Sequence, residues 1–277
     1  MDHLITTPKT NPSHAFSQPW NPLSTDPIAR RLSSYLGSVG GELKSVLDTD
    51  TNPKGLERCV HAQLTAKILD ASFPCVAARS AFNRSDYRFG VYPQLASDDA
   101  VRAVCHDLYE FNNEFDAQDD RFTTFLAVFP GTDVSSEEAF EKLLWQQLQR
   151  MHELDIEHFE WSPAVSHDPE STEFSFSVGG RAHFVVGLNP KASRLARVAP
   201  WPVLVFNPHE QFERLRTRGK YEGMQRAIRA RDIALQGNIN PTLANFGERS
   251  ETRQYSGRQV PEAWKCPFHH VAKETDQ

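Results

Sequence analysis

Nowhere does the sequence hold the roughly 18 uninterrupted apolar residues that a membrane-spanning helix needs. Its opening stretch, MDHLITTPKTNPSHAFSQPWNPLSTDP, lacks both the basic n-region and the apolar h-region of an export signal. We therefore expect a cytoplasmic protein with no membrane contact. Cysteine is scarce: Cys59, Cys75, Cys105 and Cys266 form no C-x-x-C pair and no Cys/His cluster at the ligand spacing of a structural zinc site, so they read as reduced thiols. Also missing are G-x-G-x-x-G, a Walker loop, G-x-S-x-G and H-E-x-x-H, which removes support from the familiar nucleotide-binding and hydrolase readings. A strong excess of either charge is absent too, with a net charge of −6 over 277 residues, and this describes an ordinary globular chain.

What is there is local. Between Arg214 and Arg231 stand seven basic residues and one acid, Glu222, so this segment carries +6 and leaves −12 for the remainder. Three readings of these arginines stay open: a solvated helix face, a nucleic-acid contact, or forked hydrogen bonds to carboxylates or phosphates of a bound cofactor. Asp232 directly after Arg231 adds internal pairing to them.

The Pro/Ser/Thr/Asn-rich residues 1–25 bury too little to offset ordering entropy and read as a flexible arm. A helix is expected from Asn52-Pro53, with Leu56, Cys59, Val60, Leu64 and Ile68 as its stripe. Ser97 caps a second helix carrying Val101, Val104, Cys105, Leu108 and Phe111, and Ser135 with Glu138 opens a third as a capping box. RFTTFLAVF (121–129) reads as a buried strand, residues 82–93 as a connection, and 174–188 as a hairpin turning at Gly179-Gly180. A strand at 203–206 follows, then helices to about Arg218 and over Tyr221–Gln236, each stopped by glycine. Strands in hairpins with helices bunched before and after them predict an α+β fold, with a mainly antiparallel central sheet covered by helices in a single domain over 26–268. Residues 269–277, with His269 and His270, read as a tail.

In FNPHEQFERLR, Asn207 reads as N-cap, Pro208 as N1 and Glu210 as N3, which puts His209 at N2, on a rigid turn after a buried strand. Such an imidazole either hydrogen-bonds at the helix start or serves as a ligand. The loop before that strand offers Lys191, Arg194 and Arg197, and the irregular stretch 238–258 carries Glu248, Glu251, Arg253 and Tyr255.

Phe73-Pro74-Cys75, the block FVVGLNPKASRLARVAPWPVLVFNPHEQFERLRTRGKYEGMQRAIRARD and QGNINPTLANFGERSETRQYSGRQVPEAWKCPF closely resemble the YqcI/YcgG family, over about Leu69 to Phe268. The resemblance implies a haem-dependent monooxygenase that hydroxylates a guanidine nitrogen of L-arginine, or of a related guanidino compound, in natural-product biosynthesis. It implies haem b, dioxygen (or peroxide) as oxidant, and an external electron donor such as a reductase or ferredoxin. On it, His209 is the expected iron ligand, with Cys266 as the alternative because a thiolate would favour O–O cleavage. Arg197, Arg214 and Arg231 are expected at the haem propionates and Tyr255 at the cofactor. Glu248, Glu251 and Asp232 are candidates for the substrate guanidinium, which needs acceptors in a fork. A haem carrier or sensor without oxygenase chemistry, and less so a basic-helix nucleic-acid-binding protein, are the alternatives. Apolar residues outside the helical stripes are scattered, which leaves an oligomer open.

Overall fold

The computed structural model describes residues 20–115, 120–241 and 247–273. The expected arm therefore lies mostly outside the described residues, but its end does not behave as one. Leu23 is buried in the core, and Asn21 donates from Nδ2 to the carbonyl of His106 at 3.1 Å. Those contacts tie residues 20–25 to the domain.

A sheet of seven mostly antiparallel strands forms the centre, in the order β2-β1-β3-β4-β7-β6-β5. The strands are β1 Leu36–Val39, β2 Glu42–Ser45, β3 Tyr87–Val91, β4 Thr124–Val128, β5 Phe176–Val178, β6 Arg181–Leu188 and β7 Val203–Pro208. The helices are α1 Pro27–Leu32, α2 Gly55–Leu69, α3 Val76–Arg84, α4 Asp98–Glu114, α5 Glu137–Asp155, α6 His209–Thr217, α7 Tyr221–Gln236 and α8 Thr252–Tyr255. The α+β class is as expected. One pairing departs from the antiparallel rule, because β3 runs parallel to β4 and α4 makes the crossover such a pair requires. Among the described residues no helix is long and apolar enough to cross a membrane.

Side chains of β4 show how the sheet is covered on both faces. Phe125 and Ala127, with Phe129 just past the strand, join one core with α4 and α5, while Leu126 and Val128 join the other with α2 and α3, as the period-two alternation of a strand demands. Ser97 caps α4 through Oγ at 3.2 Å from the amide of Ala100, and all five residues of the expected stripe are buried. α5 starts one residue later than its sequence pattern indicates, since Ser136 rather than Ser135 accepts from the amide of Ala139. α2 begins at Gly55, not Asn52-Pro53, because Glu57 reaches back to the amide of Lys54 at 2.6 Å; its Leu56 and Cys59 stay exposed. The β5–β6 hairpin turns through Gly179 and Gly180, whose φ values of +62° and +69° suit a two-residue turn that side chains with a Cβ resist.

The expected tail also starts too early. His269 exchanges two backbone hydrogen bonds with the amide group of Gln149, and the His270 ring lies 5.0 Å from His152 and 4.3 Å from His167. His152 is fully buried, and its Nε2 accepts from the amide of Val271 at 3.0 Å. Burial first, then the neighbouring His270, pushes its pKa down to about 4, so the fold holds a neutral imidazole. A depressed histidine contributes stability that is intact above its unfolded value near 6.5 and is lost as pH falls towards 4. Denaturant midpoints should accordingly report a loss of about 3 kcal/mol over that window from this residue. A His152→Phe variant, though less stable at pH 7, should show a shallower fall; an equal fall would remove His152 from the account.

Candidate functional site

β7 is hydrogen-bonded to β6 up to its last residue, in the register Phe184↔Asn207 and His183↔Pro208. The chain is thus held as a strand until the residue before His209. Asn207 does not cap the helix. Its Nδ2 donates to the carbonyl of Phe184 at 3.2 Å and its Oδ1 accepts from Thr124 at 3.1 Å, so the sheet consumes the side chain. Pro208 takes the cap position without a side-chain bond, His209 becomes the first helical residue, and Glu210 pairs with Arg181 instead of returning to the helix start.

This junction opens on a cavity of about 280 Å³, just below the range of about 300–1,000 Å³ for sites that enclose small ligands. Its floor is Phe184, Val186 and Leu188 of β6. Phe212 of α6 and Met224 and Ile228 of α7 form one side, and Phe73 to Cys75 ahead of α3 form another. Phe184 and Val186 are only partly buried, so apolar strand surface is left for an occupant. Around it stand Arg197, Arg216, Arg229 and Arg249 against two acids, Asp232 and Glu251.

His209 is 8% exposed, and its Nε2 lies 2.9 Å from Oε1 of Glu213, one turn along α6. Burial lowers its pKa despite that carboxylate, which keeps the imidazole neutral and Nδ1 as the ring nitrogen that Glu213 does not engage. A neutral imidazole oriented by a carboxylate is the form that binds metals. Arg197 sits in a 3₁₀ turn (Leu195–Arg197) and donates to the carbonyls of Gly187, Tyr255 and Gln254 at 3.0, 3.3 and 3.1 Å. Burial pushes it down to about 10, so it stays charged at neutral pH without a carboxylate bonded to it among the described residues. Gly257 permits this packing: its φ is +81°, and a Cβ there would stand 3.2 Å from Cγ of Arg197.

Glu251 faces the same space and receives the hydroxyl of Tyr255, whose oxygen accepts from the amide of Phe176 at 3.1 Å. Burial pushes the Glu251 carboxyl up to about 8. The segment that carries both is pinned to α5, since Glu141 accepts from Ser256 and from Arg258, each at 3.0 Å.

Of the residues singled out in the sequence, His209, Arg197, Glu251 and Asp232 meet at the cavity. Asp232 is already engaged, its Oδ2 lying 2.6 Å from Arg194 and accepting from the amide of Asn240 at 3.0 Å. Tyr255 stands one layer behind Glu251. Arg214 is directed towards Asp120 at 3.9 Å, and Arg231 donates to the carbonyls of Ala71 and Phe73 on the outer surface; neither lines the cavity. Glu248 is exposed and away from it. Cys266 is buried elsewhere, beside Trp264 and Phe268, and burial pushes its thiol up to about 12.

The cavity's thiol is instead Cys75, at the start of α3, where Sγ accepts from the amide of Ala78 at 3.5 Å and burial raises the pKa. Sequence reasoning missed it as a site residue, along with Glu213, Arg216 and Arg229. Glu213 was visible as the i+4 neighbour of His209. The arginines of α6 and of its C-terminal end are not one solvated face: Arg216 binds Glu213 and lies over the ring of Tyr221, and Arg218, just past the helix, binds Asp120 at 2.7 Å.

No curated protein and no solved structure matches this chain. A family model does, across residues 64–269, a span that contains the Phe-Pro-Cys turn, the strand-to-helix junction at His209 and the Glu251–Tyr255 segment. The chain belongs to the YqcI/YcgG family.

Proposed function

We propose that this protein is a haem-dependent monooxygenase that hydroxylates a guanidine nitrogen of L-arginine or a related guanidino compound. The observation that carries the reading is the meeting of three groups on one apolar cavity: a neutral buried imidazole, a partly buried arginine and a partly buried carboxyl, the arginine with no carboxylate and the carboxyl with no cation bonded to it among the described residues. The donor set fits haem. A porphyrin brings four of its iron's donors with it, so a single imidazole, His209, suffices as protein ligand. Glu213 then orients the ring and raises its basicity. Arg197, Arg216 and Arg229 supply the positive charge that two buried propionates require. Haem, when bound, would supply the activation of dioxygen, with two reducing equivalents from an external reductase or ferredoxin, or of peroxide, which needs none, and the oxygen transfer.

The chain's own residues do the rest. Phe184, Val186, Phe212 and Ile228 exclude water from the reacting end, which strengthens every charge interaction there. Glu251 offers acceptor oxygens to a planar cation, and Tyr255 holds that carboxyl in place. Absorption spectra of the purified chain, supplied with haem and titrated with L-arginine, test the reading. A Soret band that shifts with L-arginine, together with a product one oxygen atom heavier under turnover, is the expected result. Absence of a Soret band sinks the haem reading; a Soret band indifferent to L-arginine and its relatives leaves a carrier or sensor.

A further inference from the structure

We infer that Glu251 receives the cationic end of the cavity's ligand and that one proton leaves the site for solvent as that cation binds. The inference deepens the reading above and takes from it only that the ligand carries a guanidinium.

Glu251 stands apart from the other acids near the cavity. Asp232 is committed to Arg194 and the amide of Asn240, and Glu213 to His209 and Arg216. Among the described residues no salt bridge ends on Glu251. Its neighbours come from several elements. α8 gives the Tyr255 hydroxyl, β5 the Phe176 amide that fixes that hydroxyl's oxygen, the residue ahead of β5 the Ser175 hydroxyl, and α6 the charge of Arg216, while His209 and Arg197 line the same cavity without acting on the carboxyl. Arg249, also at the rim, is paired with Glu262 at 3.2 Å. Enclosure in the apolar cavity raises its pKa to about 8 against the hydrogen bonds of Tyr255 and Ser175 and the charge of Arg216, which favours the protonated form at neutral pH when no ligand is present.

A carboxylic acid cannot offer two acceptor oxygens to a guanidinium. Seating the cation therefore expels one proton: R-COOH plus guanidinium becomes carboxylate and guanidinium in contact, plus H⁺ in solvent. The same count holds if the retained proton sits on Glu251 and the ligand is a neutral guanidine. No further exchange with solvent is then needed to free a nitrogen lone pair, which an oxygen transfer to nitrogen requires. Tyr255, whose oxygen accepts from the amide of Phe176, donates its own hydrogen to the carboxyl.

Isothermal titration of the full chain with L-arginine at pH 7, in two buffers of different ionisation enthalpy, reads the proton directly. Close to one proton released per ligand is expected, falling towards zero above about pH 9, where Glu251 ionises before binding. Agmatine, which keeps the guanidinium and drops the carboxylate, should release the same proton. Glu251→Gln should bind both at least tenfold more weakly and release none. That variant should keep its fold, and its Tm should fall less than the wild type's between pH 5 and 8. A carboxyl held protonated by the fold costs stability as pH rises from its unfolded value to its folded one, and the amide does not. Binding without proton release, unchanged release in the variant, or no binding of either ligand overturns the inference. Proton release in a chain that takes up no haem would sustain it and overturn the haem reading; a Soret band unchanged in Glu251→Gln would keep that reading while the titration decides this one.

Discussion

Asp232→Ala is expected to cost the fold about 3–5 kcal/mol, because it strands the guanidinium of Arg194 in the interior. Both side chains are buried, at 8% and 6% exposure, and the carboxylate also holds the amide of Asn240 while Arg194 grips the carbonyl of Asn238 at 3.0 Å. The pair therefore fastens the end of α7 and the chain beyond it to the loop that carries Arg197. A loss of that size should lower Tm by on the order of 10 °C. Replacing both partners by apolar residues of similar volume should recover much of it, since the penalty comes from the uncompensated charge and not from absence of the pair. Thermal unfolding of the two variants checks this. Wild-type stability in Asp232→Ala with a selective loss of ligand affinity would return the residue to the ligand-binding role expected from the sequence.

His209→Ala is expected to abolish haem retention while leaving the domain folded. His209 presents a neutral imidazole on the cavity wall at the first residue of α6, and among the described residues its removal orphans only Glu213, which keeps Arg216. Cys75→Ser should retain haem, and Glu213→Gln should bind it roughly 10–100-fold more weakly, the usual cost of losing a ligand's orienting carboxylate. Haem content by pyridine haemochrome assay, beside a circular dichroism melt of each variant, separates loss of ligation from loss of fold. Haem loss in Cys75→Ser with retention in His209→Ala would move the ligand across the cavity.

How far these residues were legible follows from helical phase. On α7 the cavity face is Tyr221, Met224, Gln225, Ile228, Arg229 and Asp232, a run at i, i+3, i+4, i+7, i+8 and i+11. Arg231 lies off that run, as Arg214 lies off the run of His209, Phe212 and Arg216 on α6. The period was present in the sequence and favoured Arg229 and Arg216, whereas counting arginines did not. Arg197, chosen from the sequence, does line the cavity, and its packing against Gly257 is a tertiary fact.

Long periodic helices and the Gly179-Gly180 hairpin were readable because one face of each is apolar throughout. β1 and β2 turn through Gly40-Gly41, with φ of +63° and +85°, in the same manner. They went unread because β2 is a polar edge strand without that alternation. β3 was read as a connection, since a five-residue strand paired in parallel with β4 on one side announces itself only through its partner. Cys266 drew attention for its thiol, yet the aromatic cluster of Trp264 and Phe268 that buries it could not be seen in KCPF alone.

The ferrous–carbon monoxide absorption spectrum of the haem-supplied wild-type chain tests the central claim most directly. Imidazole ligation by His209 predicts the Soret position of a histidine-ligated haem, lost in His209→Ala. A thiolate-type spectrum, or no haem spectrum at all, would contradict the account.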